Sequence, residues 1–310
     1  MKEKKLNKAL VIVCIFSFLF FVCSFLFRKD EKVSQKSYET SILNPKYKDL
    51  VKSIIFSCGD DTLRLLKYGE LWVVEKGGLF ALSDESVVIS LLEKLSKIRS
   101  VYKISDGSER AESYNSDLVS PFLVSFFDKD EKLISDVSFF SADSLTGRLT
   151  FSSSQTKTLY ESEDDFFHML NLDMNFWAAG SIFYRISDPV QISYRLPSVT
   201  GKLTESDGRF KTVSHELESL RHGQVSKRNL APAEPELEII VQDGNGRAVR
   251  ASVFSFDGDF FLSRTVQPSA LFDSPENSFG FMLENVSYEI SGWTFGRIKD
   301  ALGISEKSVN

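Results

Sequence analysis

The hydrophobic and polar positions divide this chain into one long apolar run and a body of short, alternating segments. Residues 9–27 read ALVIVCIFSFLFFVCSFLF, nineteen residues without a charge, a proline or a glycine. A helix of this length rises about 28 Å, close to the thickness of the hydrocarbon core of a bilayer. Only a helix satisfies the backbone groups of a lone segment in that environment. The run therefore predicts a transmembrane anchor.

The flanks of the run bear on its orientation and on cleavage. Residues 1–8 carry four lysines, and this short basic N-terminus favours a cytoplasmic start with an exported body, although basic residues also follow the run. A cleaved signal peptide is the main alternative, but the run exceeds the usual ~7–15 residues of a signal core and no small-residue site follows it. A lipid-bearing Cys23 is disfavoured by the bulky Phe21 and Val22 before it. We expect an uncleaved single-pass anchor in the cytoplasmic membrane, with the body on the periplasmic, extracytoplasmic side.

Beyond the anchor, the first half of the body is predicted to consist of short strands around one clear helix. A polar tether of mixed charge occupies residues 28–46. The predicted strands lie at residues 51–57, 63–67, 71–75, 100–104, 122–127, 133–140, 148–152 and 156–160. Asp84 is a good N-cap for the helix that follows it. The apolar positions of that helix fall on one face and are Val87, Val88, Leu91, Leu92, Leu95 and Ile98. We expect this stripe to pack on a sheet rather than to form a partner-binding groove. A second, short helix is predicted from about residue 163, with Phe166, Phe167 and Leu170 on its apolar side.

The second half repeats this order of elements. Strands are predicted at residues 191–195, 201–204, 209–213, 237–242, 248–256, 260–266 and 288–291. A helix capped by Ser214 is predicted at residues 214–221, and a final one at 294–302. The pattern indicates an α+β fold with tandem antiparallel-sheet-plus-helix units at residues 47–179 and 180–305, followed by a tail at 306–310.

Charge excludes one class of partner. The net charge is −6, and because residues 1–8 carry four Lys and one Glu while the apolar run is uncharged, residues 28–310 carry −9. An acidic body lacks the basic face that nucleic-acid phosphates require. It equally argues against peripheral binding to anionic lipid. We therefore expect no nucleic-acid partner.

The residues that carry chemistry form no recognisable catalytic or metal-binding pattern. Cys58 is the only thiol beyond the anchor, so no disulfide or zinc framework is predicted. His215 and His222 are two helical turns apart without a carboxylate to complete a metal set, and we expect both at the solvated surface, with His168 structural. The turn that begins at Asp243 resembles the start of a calcium loop but lacks the closing Glu. The acid pairs Asp60/Asp61 and Asp164/Asp165 are explained by a turn and a helix start. We expect no catalytic residue, no cofactor-binding residue and no metal ligand, and therefore not an enzyme.

Phenylalanine is unusually frequent, with 27 residues, several of them in doublets. Neighbours on a strand face opposite sides, so a doublet such as Phe126-Phe127, Phe139-Phe140 or Phe260-Phe261 places one ring on each face. Either both faces are covered, or apolar area is exposed for a partner. We favour packing on both faces.

The order of elements resembles a bacterial family known as domain of unknown function 4340. The resemblance covers residues 51–177. The residues that carry it are a strand Trp (Trp72), the Asp-led helix (Asp84, Val87, Leu91, Leu92, Leu95), Tyr114, Pro121 and a late strand Tyr (Tyr160). The chain departs from the family where Asn115 follows Tyr114, where Pro121 comes late, and where Phe139-Phe140 replaces an Ile-Gly step. The resemblance implies a membrane-anchored α+β protein that serves as an auxiliary subunit of ABC-type export or gliding-motility transporters.

Three functions are considered on this basis. The first is a non-enzymatic accessory protein, anchored in the lipid bilayer through residues 9–27, that binds protein partners such as transporter subunits. The second is a module that binds a small molecule or a glycan in a cleft between the two units. A hydrolase is the third, and no motif supports it.

Overall fold

The computed structural model describes residues 37–97, 99–105, 121–142, 149–153, 158–162, 167–230, 233–267 and 285–304. The predicted anchor at residues 9–27 lies outside these residues, as do Tyr114, the acid pair Asp164/Asp165 and the tail. Within the ranges given, no helix combines the length and the apolar character needed to cross a membrane.

Two antiparallel sheets dominate the body, which confirms the α+β class in its broad form. The first sheet has the strand order β1-β6-β10-β9-β8-β7-β2-β3-β4-β5. Its strands are β1 (Ser37–Thr40), β2 (Ser53–Cys58), β3 (Asp61–Tyr68), β4 (Leu71–Lys76), β5 (Leu79–Leu82), β6 (Arg99–Ser105), β7 (Phe122–Phe127), β8 (Leu133–Ala142), β9 (Leu149–Ser153) and β10 (Leu159–Ser162).

The second sheet has the strand order β12-β11-β14-β15-β16-β17-β13. Its strands are β11 (Pro189–Arg195), β12 (Thr200–Thr204), β13 (Val225–Ser226), β14 (Leu237–Asp243), β15 (Ala248–Phe256), β16 (Asp259–Gln267) and β17 (Ser287–Ile290). The α-helices are α1 (Glu85–Ser96), α2 (Met174–Trp177), α3 (Phe210–Ser219) and α4 (Gly292–Leu302), and Pro45–Leu50 and Phe167–Met169 are 3-10 helices.

The two sheets share one strand order. Read from β6, the first sheet runs β6-β10-β9-β8-β7-β2-β3; read from β13, the second runs β13-β17-β16-β15-β14-β11-β12. When each series is arranged in chain order, β2, β3, β6, β7, β8, β9 and β10 correspond one by one to β11 through β17. A helix also precedes β6, as one precedes β13. The first sheet additionally has β1 at one edge and β4-β5 at the other.

Helix α1 forms as its sequence predicts. Asp84 caps it by accepting the Ser86 N–H at 2.9 Å, which satisfies one of the free donors of the first turn. The stripe is buried at Val88, Leu91, Leu92 and Leu95. The helix packs beside β4 and beside the 3-10 helix Pro45–Leu50, so the interpretation of the stripe as a packing face is confirmed.

Two predictions for local structure are wrong. The predicted tether at residues 28–46 is partly folded, because β1 pairs with β6 and Leu43 is fully buried. The predicted strand at 209–213 is instead the start of α3, and Ser214 lies buried within that helix rather than capping it. The start of the short helix predicted from about residue 163 lies outside the described residues; beyond it, Phe167–Met169 is a 3-10 helix and α2 follows.

The phenylalanine doublets place one ring in the core. Phe126 and Phe139 are fully buried, whereas Phe127 and Phe140 are half-buried. In β16, Phe261 is buried and Phe260 packs against Phe295 of α4, with ring centres 4.6 Å apart, so this strand is covered on both faces as predicted. Buried side chains of both sheets belong to one continuous core.

Candidate functional site

A cleft lies where the first sheet, the connecting segment before β11 and strand β13 meet. Its volume is about 500 Å³. The residues that line it are Asp60, Asp61, Thr62, Lys76, Gly77, Leu79, Asp173, Met174, Asn175, Val225 and Lys227. A cavity of this size is in the range of small-molecule sites, roughly 300–1,000 Å³.

Two tight hairpin turns supply the wall from the first sheet. Cys58 pairs with Asp61 across one turn, and Lys76 pairs with Leu79 across the other. Gly77 and Gly78 between the latter pair have φ values of +59° and +79°, which only glycine adopts without cost and which a two-residue hairpin turn requires. The turns bring Lys76 Nζ to 2.8 Å from Asp61 Oδ2, joining the two tips.

The connecting segment supplies the back of the cleft. Lys76 also donates to the backbone carbonyl of Leu172 at 2.8 Å. Asp173 caps α2 by accepting the Asn175 N–H, and it accepts the side-chain amide of Asn175 as well, both at 2.9 Å. Asn175 Oδ1 in turn accepts the Val225 N–H at 2.6 Å. Asn175 therefore links the edge strand β13 of the second sheet to the wall of the cleft.

The charges of the cleft suit a ligand that carries an amino group. Three carboxylates (Asp60, Asp61, Asp173) face two ammonium groups (Lys76, Lys227). Among the residues that the structure describes, Asp60 and Lys227 have no ion-pair partner, so each can pair with a ligand. Charge-assisted hydrogen bonds of this kind are the stronger ones. The apolar part of the described lining is aliphatic, from Leu79, Met174 and Val225. A small zwitterion with an aliphatic portion matches these charges and this lining.

Further contacts fix the two sheets relative to each other. The side chain of Asn285 accepts the Phe80 N–H at 2.7 Å and donates to the Gly78 carbonyl at 2.9 Å. Arg185 forms an ion pair with Glu85 and donates to the backbone carbonyl of Glu70 at 2.7 Å. These contacts cross from the second sheet and its connecting segment to the first sheet, so the cleft has a defined shape.

A buried arginine of β16 binds the segment that connects the first sheet to β11. Arg264 of β16 is only 3% exposed. It donates to the carbonyl oxygen of Ala179 at 3.3 Å and to that of Ser181. His222 places Nε2 at 2.7 Å from the same Ala179 oxygen, and its ring centre is 4.0 Å from that of Tyr288. The hydrogen bonds of this cluster to backbone carbonyl groups indicate a structural role.

The structure separates the residues that the sequence singled out. Asp60 and Asp61 line the cleft. His215 is exposed on α3 as expected, but the surface prediction for His222 is wrong, because that ring is half-buried and hydrogen-bonded. Asp243 closes a hairpin loop through Oδ1, which accepts the N–H groups of Asn245 and Arg247 at 2.9 Å. Within the described ranges, no three His, Cys, Asp or Glu side chains are placed to hold a metal ion.

Sequence reasoning missed the other members of the cleft. Lys76 follows the predicted strand at residues 71–75 and belongs to the turn that ends it, and no local pattern singles out Asn175 or Lys227. Their partners explain this: Lys76 binds a carbonyl 96 residues away and Asn175 an amide 50 residues away. No local spacing signals such pairs.

Comparisons of the chain with family models, with curated proteins and with solved structures give no match. The cleft and the strand order are therefore the basis for inference about function.

Proposed function

We propose that this chain is a non-enzymatic accessory protein, anchored in the membrane by residues 9–27, whose extracytoplasmic body binds a small amino-group-bearing ligand in the cleft. The observation that carries the proposal is the cleft itself, with Asp60 and Lys227 both able to pair with a ligand. The apolar run in the sequence supports the anchor.

The proposal treats the body as two related units, residues 47–179 and 180–305. The shared strand order of the two sheets supports this division. Asn175, which precedes the boundary, and Val225, which follows it, meet at the cleft. A site at such a junction is common among ligand-binding proteins.

Mass spectrometry of small molecules tests the ligand. Full-length protein is purified from membranes, and the compounds released on denaturation are compared between wild type and Asp60→Asn. We expect an amine-bearing compound that the variant lacks. Asp130→Asn, an exposed carboxylate in the β7–β8 turn, is the matched control and should retain it. Identical compounds from wild type and Asp60→Asn would contradict the proposal.

A second candidate function is docking to a protein such as a transporter subunit, as the family resemblance implies. Trp293 of α4 favours it, because this ring is 70% exposed with the guanidinium carbon of Arg297 4.9 Å from its centre. Exposed Trp and Arg are the residue types that dominate binding energy at protein interfaces. Crosslinking in membranes tests this function: Trp293→Ala should lose crosslinked transporter subunits that Leu133→Ala, an exposed apolar control, retains.

A further inference from the structure

Three exposed apolar side chains lie on two elements that pack together, the 3-10 helix Pro45–Leu50 and α1. Tyr47 (45% exposed) and Leu50 (53%) lie three residues apart in the 3-10 helix Pro45–Leu50, and Ile89 (41%) lies on α1. Residues i and i+3 of a 3-10 helix are on the same side of it. Lys48 and Asp49 of that helix line a groove together with Ile89, and Tyr47 and Leu50 lie beside them in the same helix, outside its described lining. We call Tyr47, Leu50 and Ile89 the groove-rim patch.

The groove-rim patch is built on rigid structure. Asn44 Oδ1 accepts the Lys46 N–H at 3.0 Å and caps the 3-10 helix, and Pro45 occupies its first turn. Leu43 is fully buried, and its N–H donates to the carbonyl of Leu95 in α1 at 2.8 Å. The exposed side chains of the patch are therefore held in place by the core.

Basic side chains surround the patch although the chain as a whole is acidic. Lys46, Lys48 and Lys52 lie on or next to the 3-10 helix. Lys67 lines the groove, with its ammonium 5.7 Å from the centre of the Trp72 ring. The acidic neighbours are Asp49 and, one turn along α1 from Ile89 in either direction, Glu85 and Glu93. Because Glu85 forms an ion pair with Arg185, four lysines stand against two carboxylates without such a pair, and this surface is locally positive in contrast to the net charge of −6.

The patch is close in sequence to the predicted anchor. Only residues 28–36 separate the apolar run from β1, and nine residues span at most about 30 Å. Residues 41–44 then lead directly from β1 into the 3-10 helix. No other exposed apolar side chain in the described ranges is so near the anchor along the chain.

We infer that the groove-rim patch docks on the headgroup region of the bilayer that residues 9–27 span. Tyrosine favours that level of the membrane, where its ring is in apolar surroundings and its hydroxyl is wet. Leu50 and Ile89 insert beside it, and the lysines attract anionic lipid. The inference rests on the anchor in the proposed function but not on the cleft.

A fluorescent probe at single cysteines tests this docking. Cys14, Cys23 and Cys58 of the full-length chain are replaced by Ser, and Leu50→Cys or Val199→Cys is labelled with a fluorophore that reports polarity. Val199 is the matched control, because it is apolar and 45% exposed but lies in the second sheet region. In nanodiscs of phosphatidylcholine and phosphatidylglycerol with a nitroxide-labelled lipid, we expect a blue shift and quenching at position 50 and neither at position 199.

The outcomes distinguish the docking from the anchor. Equal spectra at positions 50 and 199 in protein that has entered the nanodisc would overturn the docking while leaving the anchor intact. Protein that stays outside the nanodisc would instead overturn the anchor. A position-50 probe that is unquenched in nanodiscs but shielded in native membranes would assign the surface to a protein partner and overturn the inference.

Lysine variants test whether anionic headgroups attract the groove-rim patch. Because each lysine near an anionic surface contributes a free energy worth roughly fivefold in the docking equilibrium, Lys48→Gln should lower the ratio of docked to undocked protein about fivefold. Lys211→Gln on α3, an exposed lysine of the second half, should leave the ratio unchanged. Quenching that is the same in Lys48→Gln as in Lys211→Gln would contradict attraction by anionic headgroups.

Discussion

Arg264 Nη2 donates to the hydroxyl of Tyr288 at 3.0 Å, and the guanidinium carbon lies 4.8 Å from the centre of the same ring. Because Leu262 of β16 is directly opposite Tyr288 on β17, this contact is a diagonal pair between neighbouring strands. Arg264 Nη1 donates to the carbonyls of Ala179 and Ser181. A buried charge thus joins the second sheet to the segment that leads from the first.

Removal of that charge should destabilise the chain. Arg264→Met takes the donor from two backbone carbonyls and from the Tyr288 hydroxyl, and we expect the free energy of unfolding to fall by about 3 kcal/mol. Arg264→Lys retains the charge but not the planar guanidinium. Its free energy of unfolding should lie between those of wild type and Arg264→Met. Urea unfolding of the full chain in detergent, followed by tryptophan fluorescence, measures this. Arg195→Met, whose side chain is 61% exposed, is the control; an equal effect there would contradict the structural role of Arg264.

The stripe of α1 makes a second prediction. Leu91 is fully buried, so Leu91→Ala leaves a cavity and should cost roughly 2–5 kcal/mol of unfolding free energy. Ile89 lies on the outer side of the same helix, and Ile89→Ala should change the unfolding free energy in detergent by at most about 0.5 kcal/mol. Similar losses for the two variants would mean that the helix packs by another face.

The raised pKa of Tyr68 leads us to predict how the free energy of unfolding changes at alkaline pH. Burial raises the pKa of the Tyr68 phenol above its ordinary value of 10.0, and the negative charge of Glu75 raises that pKa further. The folded chain then holds this proton more tightly than the unfolded chain does. The stabilisation is complete below pH 10 and is lost as the pH rises through the raised pKa.

Substitutions at this pair measure the effect. Tyr68→Phe should have an unfolding free energy that declines less steeply than that of wild type above pH 10. Glu75→Gln removes the negative charge beside Tyr68 but not its burial. The unfolding free energy of this variant should therefore decline with pH less steeply than that of wild type and more steeply than that of Tyr68→Phe. Urea unfolding across this pH range provides the comparison, and parallel profiles for wild type and Tyr68→Phe would show that the tyrosine titrates normally.

Gly201 on the edge strand β12 lies under an aromatic ring. It is paired with Tyr194 of β11, and a Cβ atom at position 201 would overlap the Tyr194 ring. Gly201→Ala must displace that ring, and we expect a loss of about 1 kcal/mol in unfolding free energy with greater exposure of the tyrosine. Gly208→Ala, where an added Cβ has open space, should be nearly neutral. A neutral Gly201→Ala with an unmoved ring would contradict the close packing.

The elements that sequence predicts are those with local signals. Helix α1 carries its own cap and a clean spacing of apolar positions, so its position follows from residues 84–95. Helix α3 has no side-chain cap, since its N-cap residue is Arg209, and the apolar Phe210 and Val213 at its start therefore favour a strand in the sequence. Ser214 suggested a helix start although it is in the middle of one.

The cleft illustrates the same division. Asp60 and Asp61 were recognisable as a turn because Gly59 precedes them. The link between Asn175 and Val225 depends on how the second sheet meets the first. Such a contact follows from tertiary packing, and no spacing along the chain encodes it.

Strand β1 has a mechanical consequence. Among the described strands it pairs with β6, from Ser37 opposite Tyr102 to Thr40 opposite Arg99. If residues 9–27 are held in a membrane as proposed, tension on the N-terminus reaches this short ladder before it reaches the buried Leu43. We therefore expect the β1–β6 pairing to separate first under load, which would lengthen the connection to the membrane while the core stays folded.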